Sequence, residues 1–132
     1  NLSVRSTEFT VGSNGGDTMP GPLPATSEYT YASEYSVDEA VALGATNVRF
    51  SQPVIQYLEN FINFPTGIPV PTGSFNRKTG NWEPEKSGRV IKILSISNGT
   101  ANLDVNGNGN PATTAEYAEL GINLAERQKL TE

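Results

Sequence analysis

Proline and glycine interrupt this chain so often that only short regular elements fit between them. Pro53, Pro65, Pro69 and Pro71 cluster in one stretch. A proline cannot donate to a sheet ladder, so these four argue for edges and turns rather than central strands. Pro65-Thr66-Gly67 and Pro71-Thr72-Gly73 repeat a Pro-x-Gly turn signal. The 132 residues include 13 Gly and 9 Pro, with only 36% hydrophobic and 17% charged residues. Such a chain makes one domain with a modest core and much turn and loop.

Between the punctuation, apolar residues recur mostly at period two, the mark of a half-buried strand. Leu2 and Val4, then Phe9 and Val11, alternate with polar residues. Gly12 to Pro24 reads as a loop, with Met19 and Leu23 reaching toward the core. The segment Tyr29 to Val37 places Tyr29, Tyr31, Tyr35 and Val37 on one face. Ser36 and Glu39 fit a capping box for a short helix that Gly44 closes. Asn47 to Phe50 and Val54 to Phe61 read as two further strands, with Ile55, Tyr57 and Phe61 sharing a face. Ser74 to Trp82 reads as a hairpin with its tip at Arg77 to Gly80 and Phe75 facing Trp82. Val90 to Ile96 is the most apolar strand and is expected to be central. Ser97-Asn98-Gly99-Thr100 turns it back onto Ala101 to Val105; the same Asn98-Gly99-Thr100 matches a glycosylation sequon.

The last quarter changes character. An Asn/Gly loop runs from Val105 to Thr114, a short helix follows from Ala115 to Leu120, and Gly121 closes it. Asn123 caps a second helix with Glu126 at its third position. The expected architecture is mainly β: an antiparallel β-sandwich over residues 1–105 with a short C-terminal helical appendage over 106–132. The helix-like end at Arg127 to Glu132 reads as leading into a longer parent chain.

Composition removes several function classes. With no Cys and no His, thiolate–zinc sites, disulfides, thiol nucleophiles and imidazole bases are excluded. A net charge of −5 with scattered Lys and Arg is a poor counter-ion for phosphate backbones, so no nucleic-acid partner is expected. No apolar run approaches the roughly 18 residues of a membrane span, so no membrane insertion is expected. The carboxylate pairs Asp38/Glu39, Glu83/Glu85 and Glu116/Glu119 fall on expected turns and exposed helix faces. A glycosidase pair must face each other across a cleft, which spacing alone does not show. The chain reads as no enzyme in its own right.

The most specific candidate site is Asp104-Val105-Asn106-Gly107-Asn108-Gly109-Asn110. Oxygen-bearing side chains at relative positions 1, 3 and 5, with Gly at 6, let a tight loop aim alternate side chains at one Ca²⁺. Asn110 and Glu116 complete the candidate set of Asp104, Asn106, Asn108, Asn110 and Glu116. A hard cation needs charge as well as oxygens, and only Asp104 brings charge to the first turn, so any Ca²⁺ is held weakly. The other reading is an Asn/Gly turn whose side chains bond their own backbone. A second candidate surface is an aromatic face of Tyr29, Tyr31, Tyr35 and Trp82 that takes a glycan or another surface ligand. Its counterpart is a sheet core with hydroxyls at the rim.

Several runs together resemble a module found upstream of the repeats in large bacterial Rhs/YD-repeat proteins. They are Glu8-Phe9-Thr10-Val11-Gly12, Tyr29-Thr30-Tyr31, Ser36-Val37-Asp38-Glu39-Ala40 and Phe50-Ser51-Gln52-Pro53-Val54, followed by Phe64-Pro65-Thr66-Gly67, Phe75 to Trp82 and Gly88 to Lys92. The order of Phe-x-x-Pro-Val, Pro-x-Gly and a hairpin ending in Trp is also similar to the ZU-type β-sandwich of ankyrins and netrin receptors. Self-cleavage in that wider group needs a His-Phe-Ser sequence, which this chain lacks. The resemblance implies a docking or scaffolding part of a large secreted or cell-surface bacterial protein, with neighbouring domains of the parent as its partners. In those relatives the Asp104 loop is richer in Asp; Asn106 and Asn108 depart from that pattern.

Overall fold

A computed structural model of the chain describes residues 2–10, 12–14, 16–24 and 31–132. The fold is mainly β, with six strands and three short α-helices among these residues. The strands are β1 (Val4–Glu8), β2 (Ser33–Val37), β3 (Pro69–Asn76), β4 (Asn81–Arg89), β5 (Lys92–Ser97) and β6 (Thr100–Asp104). The helices are α1 (Asp38–Ala42), α2 (Thr114–Leu120) and α3 (Leu124–Lys129). The strands form three two-stranded sheets, β1 with β2, β3 with β4 and β5 with β6. Every described strand therefore keeps one free edge. Pro69 and Pro71 sit inside β3 for this reason, since a two-stranded ribbon leaves outward positions where no N–H is needed.

The chain divides into two compact units, Asn1–Ser51 with Gly73–Pro84, and Gln52–Thr72 with Glu85–Glu132. In the first, β1 and β2 run antiparallel with Val4 opposite Val37 and Glu8 opposite Ser33. All five residues of β1 are exposed, so the alternation at Leu2 and Val4 buries nothing. Val37 is the buried apolar residue among those described in this unit. Polar contacts tie its elements instead. Arg5 Nε donates to Asp38 at 2.6 Å, and Arg77 Nη2 to Glu34 at 2.6 Å. The Asp38 carboxylate raises the Arg5 pKa by accepting that bond. The hairpin tip forms as expected: Phe75 and Trp82 meet edge to face at 5.3 Å, and Asn76 Oδ1 accepts the Lys78 N–H at 2.9 Å.

The capping box expected at Ser36 is absent. Val37 is the N-cap and makes no side-chain cap bond. Glu39 instead turns to β1 and accepts the Ser3 N–H at 2.9 Å, which holds its pKa below the usual carboxylate range. Gly44 does close the turn, at φ 71.

The second unit holds the core. Ala101, Leu103, Val105, Tyr117 and Ile122 form one buried cluster, with Ile91, Ala112, Leu120 and Leu130 packed against it. Residues on both sides of position 105 share this cluster. The boundary expected between 105 and 106 thus runs through the interior of a compact unit. The helices are part of the fold because α2 and α3 supply the apolar cover that β6 needs. Tyr117 Oη accepts the Leu103 N–H at 3.0 Å. Arg127 lies 4.5 Å over the Tyr117 ring and donates to the Ala101 carbonyl at 2.8 Å.

Three strand expectations fail here. Asn47 to Phe50 and Val54 to Phe61 form no ladder, and most of their apolar side chains are exposed. Period two records extended backbone, but without a partner strand it makes no sheet. The β5 strand is an edge, not a centre: Ile93 and Ile96 are exposed, and a bulge at Leu94 shifts its register against β6. Pro71-Thr72-Gly73 runs through β3 and makes no turn.

Candidate functional site

The Asn/Gly loop leaves the end of β6 at the edge of the core, and its first residue is buried. Asp104 is 2% exposed. A carboxylate there must find hydrogen bonds or lose its charge. The loop wraps around it: Oδ1 accepts the N–H of Asn106 at 3.1 Å and of Gly107 at 2.7 Å, and Oδ2 accepts the N–H of Gly109 at 2.8 Å. Burial pushes the Asp104 carboxyl up, but the backbone N–H groups of Gly109, Gly107, Asn106 and Asn108 outweigh it and leave the pKa below its ordinary value.

The asparagines continue the same pattern one step out. Asn106 Oδ1 accepts the Asn108 N–H at 3.0 Å, and Asn108 Oδ1 accepts the Asn110 N–H at 2.7 Å. Each is a side chain bonding the backbone two residues on. Asn106 Nδ2 donates to Glu116 Oε1 at 2.7 Å. The other Glu116 oxygen accepts the Thr113 N–H at 2.7 Å and the Thr113 hydroxyl at 2.8 Å. Thr113 in turn accepts the Glu116 N–H, which makes a full capping box at the start of α2. These bonds from Thr113 and Asn106 hold the Glu116 pKa down.

The five candidate ligands are thus neighbours in one loop and helix start, but the side-chain oxygens of Asp104, Asn106, Asn108 and Glu116 are turned toward the chain's own donors. Asp104 and Glu116 are the charged members. Among the described residues no group of three or more His, Cys, Asp and Glu side chains gathers as it would around a metal ion. This donor set does not fit a hard dication that demands several free, charged oxygens.

Two glycines set the loop on its neighbour. A Cβ on Gly67, where φ is 90, would lie 2.3 Å from the Asn106 carbonyl carbon and 2.7 Å from the Gly107 nitrogen. A Cβ on Gly107, where φ is 80, would lie 2.5 Å from the Thr66 carbonyl oxygen. The Pro65–Ile68 turn and the Asn/Gly loop therefore touch backbone to backbone. The same turn is sewn to the end of β4: Gly67 N–H donates to the Val90 carbonyl at 2.8 Å, and Arg89 to the Gly67 carbonyl at 3.1 Å. Gly109, at φ 77 in open space, supplies the bend expected of it.

A cleft of about 490 Å³ lies elsewhere in this unit, between the extended segment around Val54, Ile55 and Tyr57 and the α3 residues Glu126 and Lys129. Burial, then the Glu126 carboxylate, push the Tyr57 phenol up. The aromatic candidates lie in the first unit. Tyr31 is half-buried, Tyr35 is exposed, and Trp82 is half-buried with its indole N–H enclosed and unpartnered. Tyr29 lies outside the described residues. Members of the carboxylate pairs make contacts of their own: Asp38 with Arg5, Glu39 with Ser3, and Glu83 with Asn76 at 2.8 Å.

Both depressed carboxylates make the loop acid-sensitive. A folded pKa below the unfolded one adds stability that is complete above the unfolded value and lost as pH falls through the folded one. The melting temperature is therefore expected to hold near neutrality and to fall below the ordinary carboxylate range, roughly pH 4. Asp104→Asn turns one acceptor into a donor facing loop N–H groups. It should melt lower near neutrality and show a flatter acid limb. Because the staple is internal, excess EDTA and millimolar Ca²⁺ should give the wild-type chain the same melting temperature. A clear Ca²⁺-dependent rise abolished by Asp104→Asn would replace the internal staple with a metal.

Compared with known protein families, curated proteins and solved structures, the chain matches none of them.

Proposed function

We propose that this chain is a non-catalytic structural module that docks onto neighbouring domains of a large secreted or surface-exposed bacterial protein of the Rhs/YD-repeat kind. The observation that carries the reading is exposed apolar surface. Among the described residues, fifteen large hydrophobic side chains are exposed against seven buried hydrophobic residues. Scattered exposed apolar residues are ordinary, but a run of them marks an interaction surface. The run here is Val54, Tyr57, Leu58, Phe61 and Ile62, on a segment that pairs with no strand. Isolated two-stranded sheets are marginal in water, and three stand among the described residues. A neighbouring domain supplies what both features lack: an apolar partner face and further cover for free strand edges. No helix among the described residues is long and apolar enough to cross a membrane, so a bilayer-spanning helix does not account for the exposed run.

Two measurements test this reading. The double substitution Leu58→Ser with Phe61→Ser should remove binding of a hydrophobic dye while shifting the melting temperature by only a few degrees, because exposed side chains contribute little to the fold. In a longer chain that includes the flanking domains, amide exchange over residues 54–62 should slow. A collapse in stability on serine substitution would make the run part of a core. Equal exchange with and without the flanking domains would end the docking assignment.

A further inference from the structure

We infer that Asn98 is a spontaneous modification site, which deamidates ahead of Asn106 and Asn108. The sequence holds four Asn-Gly dipeptides, Asn14-Gly15, Asn98-Gly99, Asn106-Gly107 and Asn108-Gly109; Gly15 lies outside the described residues, and in the other three the glycine carries no side chain to hinder attack of its nitrogen on the neighbouring amide. Attack of the Gly99 nitrogen on Asn98 Cγ forms a C–N bond and breaks the Cγ–Nδ2 bond. The nitrogen's proton is passed to water, and the leaving amide departs as ammonia. The product is a five-membered succinimide. Water then adds to either ring carbonyl and leaves an aspartate or an isoaspartate at position 98.

Local structure separates the three pairs. The nucleophilic nitrogens of Gly107 and Gly109 both donate to the buried Asp104 carboxylate, at 2.7 and 2.8 Å. The Asn106 amide is pinned at both ends, by Glu116 and by the Asn108 N–H, and the Asn108 carbonyl is pinned by the Asn110 N–H. Gly107 is further wedged against Thr66. Succinimide closure at 106 or 108 must wait for the loop to open. Asn98 has none of these restraints. It is exposed at the tip of the β5–β6 hairpin, no hydrogen bond among the described residues holds its amide, and Gly99 faces open space. Their φ values of 50 and 69 mark a two-residue turn with consecutive left-handed positions.

The modification has a structural consequence. An isoaspartate adds a methylene to the backbone of a turn that sets Ser97 opposite Thr100 and Ile96 opposite Ala101. The β6 strand it registers contributes Ala101 and Leu103 to the core. Ageing at one exposed residue therefore loosens the hairpin beneath it.

The test is peptide mapping by mass spectrometry of the folded chain during storage at mildly alkaline pH, beside a sample unfolded in urea. In the folded chain, conversion at Asn98 should run about tenfold or more ahead of Asn106 and Asn108, whose reaction depends on local opening. In urea the three rates should converge, and Asn98→Gln should abolish the fast event among the three. Equal rates at the three sites in the folded chain would overturn the inference. So would an unconverted Asn98 in the folded chain, whatever the urea sample shows.

Discussion

Gly67→Ala should be among the most damaging single substitutions in this chain, at about 3–5 kcal/mol, although the residue is far from the apolar core in sequence and adds only one methyl. Three costs combine. An alanine at φ 90 is held in a left-handed conformation that favours glycine. Its Cβ meets backbone atoms of Asn106 and Gly107, at 2.3 to 2.7 Å, and backbone cannot rotate away as a side-chain tip would. Separating the two segments also strains the N–H bonds from Gly67 to Val90 and from Gly107 to Asp104, each worth about 1 kcal/mol. Gly99→Ala is the matched control. Gly99 is also left-handed, at φ 69, but a Cβ there meets nothing within 4 Å. It should lose only the conformational part, about 1 kcal/mol. Thermal melts of the two variants give the comparison. Faster amide exchange at Gly107 and Gly109 in Gly67→Ala alone would locate the damage in the loop. Equal melting temperatures for the two variants would remove the backbone crossing from the account.

Leu103→Ala is the second large expectation. Leu103 is fully buried, and it sits among Ala101, Val105, Tyr117 and Ile122. Truncating a leucine in such a site costs about 3–5 kcal/mol, the transfer term plus the cavity it leaves. In a chain of this size that lowers the melting temperature by roughly 10–20 °C. The damage should not stay local, because the Leu103 backbone also donates to Tyr117 and accepts from the Ala112 N–H at 2.7 Å. Urea melts followed by circular dichroism would show the loss as a lower midpoint. A cost below about 1 kcal/mol would mean that the five-residue cluster is not the core.

Much of the local structure was legible from single residues. The Phe75–Trp82 hairpin, the Asn98-Gly99 turn, the Gly121 helix stop and the Asn123 cap all follow from turn and cap chemistry, and the structure contains each. What failed were inferences that need a partner. Alternation at Val54 to Phe61 and at Asn47 to Phe50 marks extended backbone, but pairing is a tertiary event that no local pattern records. Apolar density at Val90 to Ile96 suggested a central strand, yet the fold leaves β5 with one neighbour. Glu39 satisfied a capping pattern in sequence and went to Ser3 instead. At the candidate site the roles are partly visible: a loop that bonds its own backbone is one of the two readings that the Asn/Gly sequence offers. The Thr113–Glu116 capping box has its signal in Thr-x-x-Glu, which the ligand reading of Glu116 leaves out. The contact between Gly67 and Gly107 had no signal at all, since two glycines forty positions apart become neighbours only through the fold.

The β5–β6 hairpin and the β1–β2 ladder differ in how far apart along the chain their partners lie, and this sets a difference in rate. In the second unit, β5 and β6 are joined by a two-residue turn, and Arg127 reaches back only 26 positions to Ala101. Closing such short loops costs little entropy before contacts repay it. In the first unit, Val4 must find Val37 and Arg5 must find Asp38 across 33 positions, with little apolar burial among the described residues to hold an early encounter. During synthesis the earlier residues thus emerge first but have the slower search, and the later ones overtake them. Val4 to Glu8 then spends part of its early life as an unpaired strand edge, a period in which a neighbouring chain competes with Ser33 to Val37 for the same ladder.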